Sequence, residues 1–123
     1  MKPTRKLPPP KEHDEQVAFV RWFRAQYPGL LIYSIPNGSH LAGTNGQRAA
    51  QIARLKAEGM RPGMPDLHIP WYNLYIEMKR QRGGRLSQEQ RDVHHHLQCA
   101  GRKVIVAKGW EDAAAQVYTV IGR

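Results

Sequence analysis

Apolar positions along this chain change period several times, and each change marks an expected element. From Glu12 to Gln26 the run EHDEQVAFVRWFRAQ has helical spacing and is stopped by Tyr27-Pro28-Gly29. At about 100° per residue, Phe19 and Phe23 straddle the direction of Glu12, Gln16 lies close by, and Val20 and Trp22 flank the stripe. Glu12 is therefore expected to project along the apolar face toward the interior, with Glu15 at the stripe's edge as the second choice. Acids in a first helical turn also suit the helix dipole, so position alone leaves their role open.

Leu30 to Ile35, LLIYSI, reads as a strand closed by Pro36-Asn37-Gly38, and the loop GSHLAGTNG after it has the composition of a mobile surface segment. A second helix is expected from Gln47 to Glu58. Ala49, Ile52, Ala53 and Leu55 would face the core, Arg48, Arg54 and Lys56 the solvent, and Gly59 would cap it. Two strands follow, Asp66 to Ile69 and Leu74 to Lys79, joined by Pro70-Trp71-Tyr72-Asn73, a length that fits a hairpin. The loop RQRGGR leads to a helix from Gln88 to Ala100, ended by Gly101. Val104-Ile105-Val106-Ala107 has the continuous apolar character of a strand covered on both faces, and a last helix spans Glu111 to Val120. This order predicts an α/β fold with a small mixed sheet flanked by helices, without internal repeats.

The hairpin raises a chemical question. If its connection closes with Ile69 opposite Leu74, then Leu67 pairs with Ile76 and Asp66 falls opposite Glu77. Period two puts Tyr75, Glu77 and Lys79 on one face of the second strand. Opposed like charges at ~5 Å destabilise a sheet. A paired Asp and Glu instead suits a hard divalent cation such as Mg²⁺, with Mn²⁺ a substitute. Lys79 would then orient water or stabilise developing charge; as a neutral base it would cost ~5 kcal/mol to deprotonate at pH 7. A surface ladder in which Lys79 neutralises Glu77 accounts for the same three residues without a metal.

Composition narrows the partners. The 123 residues fit one domain, residues 12–123, behind a basic, Pro-rich and flexible arm, residues 1–11. Lys and Arg outnumber Asp and Glu by 19 to 10, giving a formal charge of +9, which favours polyanions and nucleic acid above all. Charge alone fits an inert basic domain equally well. A single Cys99 excludes an internal disulfide framework, no Cys/His spacing supplies a zinc motif, and the setting expected is the cytoplasm. No apolar run reaches the length of a membrane span. His94-His95-His96 point about 100° apart on a helix and cannot share one ion, so they are read as surface or phosphate-contacting. His68 alternates onto the Asp66 face and reads best as a satisfied sheet histidine. Trp71 and Tyr72, at the hairpin tip, suit base stacking or local packing.

Five blocks in order carry a resemblance: Glu12-His-Asp-Glu-Gln16, Ile35-Pro36-Asn37-Gly38, Gly63-Met-Pro-Asp66, Ile76-Glu-Met-Lys79 and Leu86-Ser-Gln-Glu-Gln90. Together they are similar to the VRR-NUC family of the PD-(D/E)XK nuclease superfamily, many of whose small members come from phages. The resemblance implies a restriction-endonuclease-like core and Mg²⁺-dependent hydrolysis of DNA phosphodiesters. It makes Asp66, Glu77 and the Met78 carbonyl metal ligands, Lys79 the catalytic lysine and Glu12 the helical acid. Gln90 matches a glutamine that faces the site, although Ser87 and Gln90 also form a capping box. Family analogy further implies branched, Holliday junction-like DNA, a homodimer, and, for a phage-encoded chain, the bacterial host cytoplasm. The alternative is a non-catalytic basic DNA-binding domain that keeps the nuclease fold.

Overall fold

In a computed structural model, residues 8–38 and 41–122 are described. The elements are α1 (Glu12–Gln26), β1 (Tyr33–Ser34), α2 (Asn45–Ala57), β2 (Leu67–Ile69), β3 (Leu74–Lys79), α3 (Gln88–Cys99), β4 (Lys103–Lys108) and α4 (Trp110–Ile121), with a 3₁₀ turn, Pro70–Tyr72, inside the hairpin. Residues 1–7 of the expected arm and Ser39-His40 of the expected mobile loop lie outside the described residues. Pro8 to Lys11 precede α1 without regular structure.

The sheet has the order β1-β2-β3-β4, antiparallel except for the parallel pair β3/β4. A parallel pair needs a crossover, and α3 supplies it. Alternation along β3 then separates two layers. Leu74, Ile76 and Met78, with Leu67, Ile69 and Ala107, pack against Phe19 and Phe23 of α1 and Ala113 and Val117 of α4. Glu77 and Lys79 face the other way and lie beneath α3, where Val93 and His94 are buried. Both phenylalanines are fully buried, worth about 2–3 kcal/mol each, and a ring cluster with Trp22 and Tyr27 holds the end of α1.

Four expectations are corrected. The strand expected over Leu30 to Ile35 shrinks to Tyr33–Ser34, because its partner β2 is only Leu67–Ile69; a last bond, Ile35 N–H to Asp66 O at 2.8 Å, ends the contact. The second helix begins earlier, at Asn45, under a Thr44/Gln47 capping box, and buries no residue fully. Ala49 and Ala53 are exposed rather than core, and only Ile52 and Leu55 of the expected stripe are half-buried, since α2 lies off the sheet faces. β4 is an edge strand, so Val104, Ile105 and Val106 are only partly covered. Its outer edge is closed by α4: Asp112 Oδ2 accepts the Lys108 N–H at 2.8 Å, and Gln116 donates to Val106 O at 2.9 Å.

The fourth concerns α1. Its buried stripe is Glu15, Phe19 and Phe23, so Glu15, expected at the edge, is the acid buried in the interior, while Glu12 is half-buried. Glu15 Oε1 accepts the Trp110 N–H at 3.4 Å, at the start of α4, where a carboxylate complements the helix dipole. Gly109 makes the room: a Cβ there would fall 2.7 Å from Glu15 Oε2. That second oxygen is buried without a hydrogen-bond partner among the described residues.

Candidate active site

The β2/β3 ladder runs from Ile69 opposite Leu74 to Leu67 opposite Ile76, the register that the four-residue connection implies. It stops one residue short of Asp66. There the Asp66 carboxylate replaces a backbone acceptor: Oδ2 takes the Met78 N–H at 2.7 Å. Because the N–H and C=O of one strand residue point to the same side, the Met78 carbonyl opens toward Asp66 as well. Its neighbour Lys79 points its carbonyl the opposite way, accepting the Gly109 N–H at 2.9 Å.

Glu77 is 1 % exposed and Lys79 8 %. Glu77 Oε1 lies 3.1 Å from His94 Nε2, and its Oε2 accepts from Gln90 Nε2 at 3.4 Å. Lys79 Nζ donates to Gln90 Oε1 at 3.1 Å, and the same oxygen takes the Ser87 N–H at 2.9 Å. Gln90 thus serves the α3 capping box and also joins Glu77 to Lys79. Gly84 lies over the lysine stem, where a Cβ would come within 3.1 Å of Lys79 Cβ.

Burial pushes the Glu77 carboxyl up to about 9, and its hydrogen bond with Asp66 and the charges of Asp66 and Glu12 push the same way, against Lys79. Two carboxylates within hydrogen-bonding reach in a buried pocket lack positive charge, and Lys79 alone does not make up the deficit. The donors on offer, the Asp66 and Glu77 carboxylates and the Met78 carbonyl, are all hard oxygens. Among the described residues no group of three or more His, Cys, Asp or Glu is gathered as for a closed metal site. That set fits Mg²⁺ or Mn²⁺, which take one or two carboxylates and complete the shell with water and phosphate, and does not fit a structural zinc. Glu12, at the first position of α1, reaches the site through its charge on Glu77.

Two residues of the site were not singled out by their sequence positions. Asn37 Nδ2 lies 3.2 Å from Met64 O and 3.4 Å from Asp66 Oδ1, tying the Pro36-Asn37-Gly38 turn to the loop that carries Asp66. His94, expected at the surface, is 5 % exposed and touches Glu77, while His95 and His96 are exposed as expected. The available signal was spacing: Gln90 and His94 are four apart and share one face of α3. His68 stacks on Tyr75 with centroids 4.1 Å apart and its Nδ1 lies 2.7 Å from the Tyr33 hydroxyl, which makes it a satisfied sheet histidine; burial, then Arg102, lowers its pKa. Trp71 is exposed and Tyr72 packs against the core rim.

The molecule is thus an α/β domain, a mixed four-stranded sheet between helices, with two carboxylates meeting where its hairpin opens and a buried lysine beside them. The chain belongs to the VRR-NUC domain family, whose model matches residues 10–111. A solved structure described as a VRR_NUC domain protein superposes with a TM-score of 0.75 over 94 % of this chain and 92 % of that one, at 22 % identity, a likeness of fold. No curated protein was found to match.

Proposed function

We propose that this chain is a divalent-metal-dependent endonuclease that hydrolyses DNA phosphodiester bonds. The observation that carries the reading is the buried meeting of Asp66 and Glu77 with Lys79 two residues on, a cluster that a pure DNA-binding domain would have no reason to set against phosphate. Asp66, Glu77 and the Met78 carbonyl would hold Mg²⁺ or Mn²⁺, which when bound polarises a phosphate and acidifies a water. Lys79, held by Gln90, presents its ammonium to the attacking water or to charge developing on the phosphate. Glu12 adds negative charge on the α1 side of the site and raises its demand for a cation.

A groove supports a nucleic-acid strand as substrate. The hollow containing Asp66 and Asn37 shares Gln16 and Ser34 with a second hollow of about 330 Å³ between α1 and β1, lined by His13, Arg21 and Arg24. From Gln16 to Arg24 the helix rises ~12 Å along this hollow. In this reading Arg21 and Arg24 would face phosphates beyond the cleaved bond. Family analogy favours branched DNA and a homodimer, since one site cuts one strand and symmetric cleavage of a junction needs two protomers about a two-fold axis. Among the described residues no helix is long and apolar enough to cross a membrane, and the enzyme's place in this reading is the cytoplasm.

The test is incubation with four-way, flapped and linear DNA in Mg²⁺, Mn²⁺ or EDTA, alongside Glu77→Ala and Lys79→Ala. Metal-dependent cutting lost in both variants is the expected result. Cutting in EDTA, or undiminished in both variants, would sink the mechanism. Binding without cleavage of any substrate would favour the non-catalytic DNA-binding alternative.

A further inference from the structure

Glu77 meets Asp66 on one side and α3 on the other. It lies under α3, and both carboxylate oxygens meet side chains of that helix, His94 at 3.1 Å and Gln90 at 3.4 Å, one turn apart. The two grips differ in kind. Gln90 is shared among three partners, its carbonyl oxygen taken by Ser87 and Lys79, and its contact with Glu77 is the longer one. His94 is a rigid ring, buried beside Val93, with its nitrogen aimed at Oε1. An imidazole nitrogen that faces a carboxylate oxygen does so as a donor, here through Nε2–H.

We propose that His94 is a positioning residue: its Nε2–H fixes the Glu77 carboxylate so that the lone pairs it leaves unused face Asp66, and this sets the divalent-cation affinity of the pair. Each carboxylate oxygen carries two lone pairs, so a donor on one side of Oε1 leaves room for a cation on the other. Without the donor, Glu77 rotates among conformers of which few oppose Asp66, and the cation must pay for ordering it. Partners that orient a metal-binding side chain typically change affinity 10–100-fold. The inference rests on the metal reading of Asp66 and Glu77, and the test separates the two.

Mn²⁺ binding to the full chain without DNA is measured by electron paramagnetic resonance titration for wild type, His94→Met, His94→Gln and Asp66→Asn. Methionine and glutamine are both unbranched and similar in size, but only glutamine carries an N–H donor. The expected result is a ~10–100-fold weaker Mn²⁺ affinity for His94→Met, recovery to within about threefold of wild type for His94→Gln, and loss of binding in Asp66→Asn. In cleavage assays His94→Met should need correspondingly more Mn²⁺ for half-maximal rate while approaching the wild-type rate at saturation. Thermal melting in EDTA checks that each variant folds; should His94→Met fail to fold, weak binding by a folded His94→Gln would overturn the proposal and wild-type binding would support it. Mn²⁺ affinity in folded His94→Met equal to wild type, with Asp66→Asn impaired, would show that His94 only fills space. Unchanged binding in Asp66→Asn would overturn the metal reading itself.

Discussion

Asp66 leaves its strand with its carboxylate where a backbone carbonyl would otherwise stand, taking the Met78 N–H at 2.7 Å. One side chain thereby continues the hydrogen bonding past the end of the β2/β3 ladder and brings a carboxylate alongside Glu77. The structural and the chemical roles of Asp66 are then separable by substitution. Asp66→Asn keeps an acceptor for the Met78 N–H and should fold near wild-type stability while losing cleavage. Asp66→Ala leaves the N–H of the buried Met78 unpaired and should cost a further ~1–3 kcal/mol, read from urea melts of the two variants side by side.

Glu77 makes stability fall as pH rises when no metal is present. Its folded-state carboxyl titrates at about 9 against an ordinary 4.5, so the folded chain binds one more proton than the unfolded chain between those values. The Glu77 contribution is therefore unimpaired below pH 4.5 and is lost progressively toward pH 9. In EDTA at pH 8, Glu77→Gln should melt above wild type although it does not cleave DNA. Adding Mg²⁺ should raise the wild-type melting temperature and leave Glu77→Gln nearly unmoved. A wild-type protein whose Glu77-dependent stability grows with pH in EDTA would contradict this.

Gly63 lets the loop that carries Asp66 touch α3. Its φ is +89°, and a Cβ would fall 2.7 Å from the Glu89 carbonyl carbon and oxygen, backbone atoms that cannot swing aside. Gly63→Ala should destabilise the fold by about 1–3 kcal/mol through strain and overpacking. By moving the loop away from Gln90 and Glu77 it should also slow cleavage more than the stability loss explains, which parallel melts and rate measurements at low temperature would show.

Much of this was legible in the sequence, and what escaped did so for physical reasons. A four-residue connection fixes a hairpin register, so the pairing of Leu67 with Ile76 could be read from spacing alone; that Asp66 leaves the ladder to accept the Met78 N–H could not. Strand order could not: Val104 to Val106 have the apolar character of a central strand, yet β4 is last in the sheet and Asp112 and Gln116 close its edge. Helical angles place Glu12 and Glu15 on neighbouring directions but do not say that Gly109 leaves a notch at the start of α4 into which Glu15 fits. The histidine run concealed His94, because three adjacent helical residues point in three directions and only the placement of α3 over β3 decides which one meets Glu77.

Arg21 and Arg24 line the groove that continues from the Asp66 hollow. If they meet phosphates, Arg21→Ala and Arg24→Ala should each weaken DNA binding and reduce the slope of log affinity against log salt by about 1, with no change in Mn²⁺ affinity. Fluorescence anisotropy across a salt series, in Ca²⁺ or EDTA so that nothing is cut, checks this. Unaltered salt slopes in both variants would move the strand elsewhere on the surface.

Asp66, Glu77 and the Met78 carbonyl form the proposed bed of a divalent cation, and anomalous diffraction from crystals soaked in Mn²⁺ would reveal an ion in it. One strong peak is expected against both carboxylates and the Met78 carbonyl, and none in Asp66→Asn. No peak there at a Mn²⁺ concentration that supports cleavage, or a peak only at other residues, would contradict it.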